Sequence, residues 1–248
     1  MKNIGIYDLT DCSNLDYKTR IDIYKSCGFD ELGLYLDNNY MQGNENYMDI
    51  IGFAQSVGMK IKQVHIDYKI ANLICDDSTN EYFEYLETKA VECESLQIPY
   101  VVLHASKGDN PPEISQNRLK KLENFSKKHP NLTFCFENVR NNTNLEKILG
   151  LDLNNIKMCY DLGHAHAYGN EKELCEKYKN KIVCSHLHNN YGKDDHNILS
   201  DGEIDYAPIL EQLIKIPNVS NCFECFPGKN LILSEEKFEN FVKKILII

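Results

Sequence analysis

The chain has 248 residues, 42% of them hydrophobic and 26% charged, with a formal net charge of −10. That is the composition of a soluble globular protein, and no apolar run of about 18 residues is present, which excludes a transmembrane helix. The acidic balance disfavours a nucleic-acid partner, because phosphate binding favours basic surfaces; only a local patch or bound metals would reverse that field over a site.

The first residues run straight into a strand-like segment without a signal-peptide core, so a cytoplasmic protein is expected. Ten cysteines lack the tight spacing of a small secreted disulfide framework, and reduced thiols are expected.

A strand over 3–8 is followed by a helix over 16–26, with Tyr17, Ile21 and Tyr24 on one face. The second strand covers 31–36 and its helix 45–56; the third strand, 60–66, carries His65 at its end. Phe83, Leu86, Ala90 and Cys93 then fall on one stripe of a third helix. The fourth strand, 100–104, leads to a helix opened by Pro111 and Pro112, with Leu119, Leu122 and Phe125 inward. A fifth strand over 132–137 precedes a short helix over 145–149, and a sixth over 156–161 precedes a helix over 171–178. The seventh strand is 182–188. A long loop, 189–204, ends at Asp205, the expected N-cap of a helix carrying Ile209, Leu210 and Leu213. The eighth strand is 221–226, and the last helix, capped at Ser234, buries Phe238, Phe241, Val242 and Ile245.

Eight strands alternating with eight helices predict a parallel α/β sheet. The length, close to the roughly 250 residues typical of a (β/α)8 barrel, predicts one TIM-barrel domain over 1–248. An open doubly wound sheet is the alternative, lowered by the lack of a glycine-rich phosphate loop after the first strand.

Six successive strands end in a side chain able to bind metal: His65, His104, Glu137, Asp161, His186 and Glu224. The C-terminal ends of barrel strands converge on one mouth, where active sites lie. Seven of the eight histidines fall at or just beyond strand ends; His129 alone sits elsewhere. Cys135, Cys159, Cys184 and Cys222 each precede such a residue by two positions and so share its face of the strand. They are expected inside the barrel, one layer below, as small core fillers. Cys222 and Cys225 have redox-motif spacing but should face opposite sides of a strand. The loop after the seventh strand adds Asp194 and His196, with Asp195 competing as the ligand. Carboxylates and imidazoles gathered in one cavity need a cation, since burying them without a counter-charge is costly. Mixed His and carboxylate donors suit zinc, manganese, cobalt or iron(II) better than calcium or magnesium.

In this order and spacing the motifs resemble the xylose-isomerase-like TIM-barrel superfamily, which includes sugar (phosphate) isomerases and epimerases and type IV apurinic endonucleases. They are Val101-Val-Leu-His104, Phe136-Glu137-Asn138, Asp161-Leu-Gly-His164, Ser185-His186-Leu-His188-Asn189, Asp194-Asp-His196 through Gly202, and Phe223-Glu224. From the epimerases the resemblance implies one divalent metal on Glu137, Asp161, His186 and Glu224, with the two glutamates as the acid/base pair. His164 and His188 would contact substrate, and Asn138 is grouped with them.

From the endonucleases it implies up to three ions: one on His65, His104 and Glu137, one on the central four, and one on His164, Asp194 and His196. Tyr68 then stands at the substrate mouth. Three carboxylates against one divalent ion leave a negative site suited to a neutral sugar. Four against three ions leave a positive one suited to phosphate. The leading expectation is a metal-dependent isomerase or epimerase of a small-molecule sugar or sugar phosphate. The alternative is a multi-zinc phosphodiesterase, and a third reading is a metal-bound sugar sensor. Oligomeric state is left open.

Overall fold

The computed structural model describes residues 4–36, 46–169, 171–228 and 231–246. Two expected boundaries, Asn3 of the first strand and Glu45 of the second helix, lie outside these residues.

The chain alternates strand and helix throughout. Its elements are β1 (Ile4–Tyr7), α1 (Tyr17–Cys27), β2 (Glu31–Tyr35), α2 (Tyr47–Ser56), β3 (Gln63–His65), α3 (Glu81–Ser95), β4 (Tyr100–His104) and α4 (Gln116–Lys128). Then come β5 (Thr133–Glu137), α5 (Thr143–Leu149), β6 (Ile156–Asp161), α6 (Leu162–Ala167), α7 (Glu171–Tyr178), β7 (Ile182–Leu187), α8 (Ala207–Lys215), β8 (Ser220–Phe223) and α9 (Glu235–Ile245). Each strand pairs in parallel with the next, and β1 pairs with β8 through Ile4↔Asn221, Gly5↔Cys222 and Ile6↔Phe223. That last pairing closes the barrel and removes the open-sheet alternative. No helix among the described residues is long and apolar enough to cross a membrane.

Strand alternation splits the core in two. Outward residues such as Leu34, Val101, Phe134, Phe136, Met158 and Tyr160 are buried against the helices. Inside, Val102, Cys135, Cys159 and Cys184 form a separate buried cluster. Cys222 joins them in the interior, where its Sγ lies 2.3 Å from where a Cβ on Gly5 would stand, so only glycine fits there. All ten cysteines are free.

Local chemistry corrects several expectations. Helix α4 starts at Gln116, because the Ser115 side chain accepts from Arg118 N; Pro111 and Pro112 precede it outside the helix. Asp205 is not the cap of α8. Tyr206 holds that position without a side-chain bond, and proline in the first turn needs no amide partner. In α3, Tyr82 takes the buried place expected of Phe83, and Phe241 in α9 is only half-buried. Among the described residues, three helical segments go beyond the sequence expectation: 3₁₀ turns over Thr10–Cys12 and Tyr68–Cys75, and α6. Helix α6 forms because Asp161 ends β6 and also caps the next turn, its Oδ1 accepting from His164 N at 2.6 Å.

Candidate metal centre

The six strand-end residues meet at the C-terminal mouth. Five of them are the last or next-to-last residues of β3 to β7, and Glu224 follows β8 by one, its amide continuing the ladder to Leu187 O at 3.2 Å. A cavity of about 770 Å³ opens above them, within the range of small-molecule sites.

At its base, His186 Nδ1 lies 3.1 Å from Glu224 Oε2, 3.4 Å from Glu137 Oε2 and 3.6 Å from Asp161 Oδ2. Yet Nδ1 of His186 and Oδ2 of Asp161 have no aligned hydrogen bond, although both residues are fully buried. Donor atoms that face a common point rather than one another are the arrangement a cation satisfies. The residues therefore fit a divalent ion. Of these four, Glu137 and Glu224 line the cavity, while Asp161 and His186 lie beneath it.

Two further groups flank the centre. His65 Nε2 and His104 Nε2 approach Glu137 Oε2 at 3.1 and 3.5 Å. On the other side His164, His188, Asp194 and His196 gather their donor atoms within 4.8 Å of one another. Asp194 bridges His164 Nε2 (3.4 Å) and His196 Nε2 (3.1 Å). Asp195 instead accepts from Tyr191 N, so Asp194 is the carboxylate the structure brings to the histidines. His196 sits in the left-handed region at φ 53°, a cost for a non-glycine residue. It is held there by Nδ1 on Glu224 O at 2.9 Å and by Phe226 N donating to its carbonyl.

Electrostatics follow from this crowding. Burial opposes charge on His186, but Glu137 and Glu224 outweigh it and hold the imidazole well above its ordinary value. His164, likewise buried, is raised by Asp161 and Asp194, and His196 is raised to about 9 against burial, chiefly by Asp194. Burial would raise Glu137 and Glu224. His186 reverses this, leaving Glu137 well below the carboxylate range and Glu224 at about 2. In the metal-free mouth these shifts favour the protonated imidazoles, the form a metal would have to displace.

Two expected substrate contacts lie elsewhere. Asn138 is buried, with its amide clamped to the backbone of Asp161 by two 2.8 Å bonds. His188 is fully buried, stacked on His196 at 4.0 Å and pressed on Gly163, where a Cβ would stand 1.9 Å from the ring. Neither lines the cavity. Tyr68 does, with its ring 5.9 Å from that of His104.

Tyr35 escapes the sequence pattern. It ends β2, lines the cavity, and its hydroxyl donates to Glu224 Oε1. Its position at a strand end was the available signal, but a phenol is not the ligand type that repeats there. Asp8, after β1, also reaches the lining, locked by two 2.9 Å bonds from the buried Arg20.

The fold and site define a (β/α)8 barrel with a mouth rich in metal donors. A family model described as xylose isomerase-like TIM barrel matches residues 21–238, and the chain belongs to that family. A 76-residue segment, 29% of the chain, is 36% identical to the uncharacterized protein MJ1311 of Methanocaldococcus jannaschii and spans 26% of that protein's length.

Among solved structures, an L-ribulose 3-epimerase superposes with a TM-score of 0.73 at 16% identity, covering 99% of this chain and 92% of the other. D-psicose 3-epimerase of Clostridium cellulolyticum H10, solved with D-tagatose, gives 0.72 at 14%, covering 98% and 96%. A probable 3-DHS dehydratase of Bacillus anthracis gives 0.71 at 14%, covering 97% of each. At these identities the likeness is one of fold, and it spans more than one reaction.

Proposed function

We propose that this protein is a divalent-metal-dependent isomerase or epimerase of a sugar or sugar phosphate, with Glu137 and Glu224 moving the proton. The observation that carries the reading is their placement. They are the two carboxylates of the central group that open onto the cavity, while Asp161 and His186 are sealed below. The neighbours described as 3-epimerases support the substrate class.

A bound divalent ion would be held by Glu137, Asp161, His186 and Glu224 and would polarise substrate oxygens as a Lewis acid. One glutamate takes the proton from the carbon beside the carbonyl, and the electron pair moves onto the carbonyl oxygen. The other glutamate delivers a proton to the opposite face as the electron pair returns to carbon, which inverts that carbon. It can carry that proton once the His186 proton that depresses both glutamates in the metal-free mouth is gone. Tyr35, bonded to Glu224, fixes that carboxylate against the cavity wall. His164 and Tyr68, both in the lining, are the candidate contacts for substrate hydroxyls.

Glu224→Gln is expected to lower turnover by roughly 10²–10⁴-fold. The assay is solvent deuterium incorporation during interconversion of candidate ketoses, and unimpaired exchange would refute the role.

A second reading has its own support: the flanking groups His65/His104/Glu137 and His164/His188/Asp194/His196 adjoin the centre. Three ions across these groups would make a phosphodiesterase site like that of the apurinic endonucleases. Metal analysis separates the two. Three ions per chain with incision of abasic-site DNA supports the second reading, and one ion without incision supports the first.

A further inference from the structure

Three histidines of the mouth are oriented by backbone carbonyls. His65 Nδ1 lies 2.6 Å from Ile66 O, His164 Nδ1 3.0 Å from Asn138 O, and His196 Nδ1 2.9 Å from Glu224 O. His186 differs. Its Nε2 lies 3.2 Å from the side-chain oxygen of Gln63 and 3.1 Å from the Tyr7 hydroxyl. From there a chain of bonds runs down the barrel interior. Gln63 Nε2 donates to Ser220 O (3.2 Å) and Ser220 Oγ (3.1 Å), Ser220 Oγ donates to Glu31 Oε2 (2.7 Å), and Lys62 Nζ meets Glu31 Oε1 at 2.5 Å. Tyr7, Gln63, Ser220 and Glu31 are all fully buried.

We propose that Gln63 is the positioning residue for His186, with its amide held by Ser220 and Glu31 so that Nδ1 is left bare for the metal. The inference rests on the metal reading of the mouth. Hydrogen-bond direction carries it. A backbone carbonyl only accepts, so the end of the Gln63 amide that faces Ser220 O is the NH₂. The opposite end is therefore the carbonyl oxygen, which already accepts from the Tyr7 hydroxyl at 3.2 Å. That oxygen cannot donate, so the His186 Nε2 facing it carries the hydrogen. In a neutral imidazole Nδ1 is then the lone-pair nitrogen, and it points at Glu137, Asp161 and Glu224.

The lower links set the upper one. The Glu31 carboxylate takes the Ser220 hydroxyl hydrogen, which turns the Ser220 oxygen toward the Gln63 NH₂. A reversed amide would present NH₂ to Nε2, favour hydrogen on Nδ1, and block coordination. Outer partners of metal-bound histidines act in this way, and their loss typically weakens metal affinity by about 10–100-fold.

The test is Co²⁺ affinity, measured by competition with a chelator, in the full-length wild-type protein, Gln63→Leu and Ser220→Ala. Gln63→Leu is expected to bind about 10–100-fold more weakly, and Ser220→Ala more weakly by a smaller factor. In the Co²⁺-loaded wild-type protein, the His186 Nε2–H should give a hyperfine-shifted proton resonance that exchanges slowly with solvent. In Gln63→Leu that exchange should be fast, a change that packing loss elsewhere would not produce. Wild-type protein that binds no Co²⁺ overturns the metal reading and this inference together. Wild-type binding with undiminished affinity and slow exchange in Gln63→Leu overturns the role of Gln63 alone. If Gln63→Leu does not fold, Ser220→Ala decides, and wild-type affinity there overturns the inference.

Discussion

At the N-terminal end of the barrel interior, Glu31 meets the Ser220 hydroxyl at 2.7 Å and the Lys62 ammonium at 2.5 Å. At the C-terminal end, three carboxylates face one imidazole nitrogen and none is aligned with it. Both ends bury charge. At the lower end the chain supplies the counter-charge itself, whereas at the mouth three carboxylates and an imidazole crowd one point and leave Asp161 Oδ2 and His186 Nδ1 without an aligned bond. His129, outside the barrel, repeats the first solution: its two ring nitrogens meet Glu94 and Glu87 at 3.2 and 3.1 Å. Burial of a titratable group therefore does not by itself mark a site, nor does a single unaligned atom, since Glu31 Oε1 and Tyr82 Oη also lack an aligned bond. What marks the mouth is that such atoms face one point shared by three carboxylates and an imidazole.

That contrast can be broken from either end. Removing metal from the mouth should have the largest effect on stability. At free metal about 1,000-fold above the dissociation constant, binding adds about 4 kcal/mol. Chelation should lower the thermal midpoint accordingly, and re-addition of metal should restore it. An unchanged midpoint would mean that the mouth, like the lower end, balances its own charge.

Breaking the lower end should cost less, and it should cost more in the loaded than in the metal-free protein, because Glu31 anchors the chain of bonds that reaches His186. Glu31→Ala strands the buried Ser220 hydroxyl and leaves Lys62, 24% exposed, to turn to water. A loss of about 1–3 kcal/mol is expected from denaturant unfolding of the metal-free protein, and a larger one with metal bound. A loss of the same size in both states would make Glu31 part of the fold alone and remove it from the chain that orients His186.

The smallest effect is a pH dependence, opposite in sign for the two states of the mouth. Metal-free His196 is raised to about 9, against an ordinary value near 6.5. Its proton therefore adds stability that is fully present below about 6.5 and is lost as pH rises through 9. Metal needs the same imidazole bare, so metal affinity should rise over that interval. The stability gap between loaded and metal-free protein should widen from pH 7 to 9 in thermal melts. A gap independent of pH would remove His196 from the ligand set.

The sequence by itself determined the strand–helix alternation and the converging strand ends. Both follow from local rules, since period-two alternation sends Cys135 and Glu137 to one face and Phe134 and Phe136 to the other. It also carried the residue types, His, Asp and Glu, to which metal chemistry restricts a candidate site. Barrel closure needed the structure, because the β1–β8 pairing joins segments more than two hundred residues apart. So did the choice of Asp194 over Asp195, which depends on the turn that puts His196 at positive φ. Tyr35, Gln63 and the burial of His188 and Asn138 were equally hidden. Each is defined by which distant group lies across the barrel from it, and spacing along one strand holds no record of that.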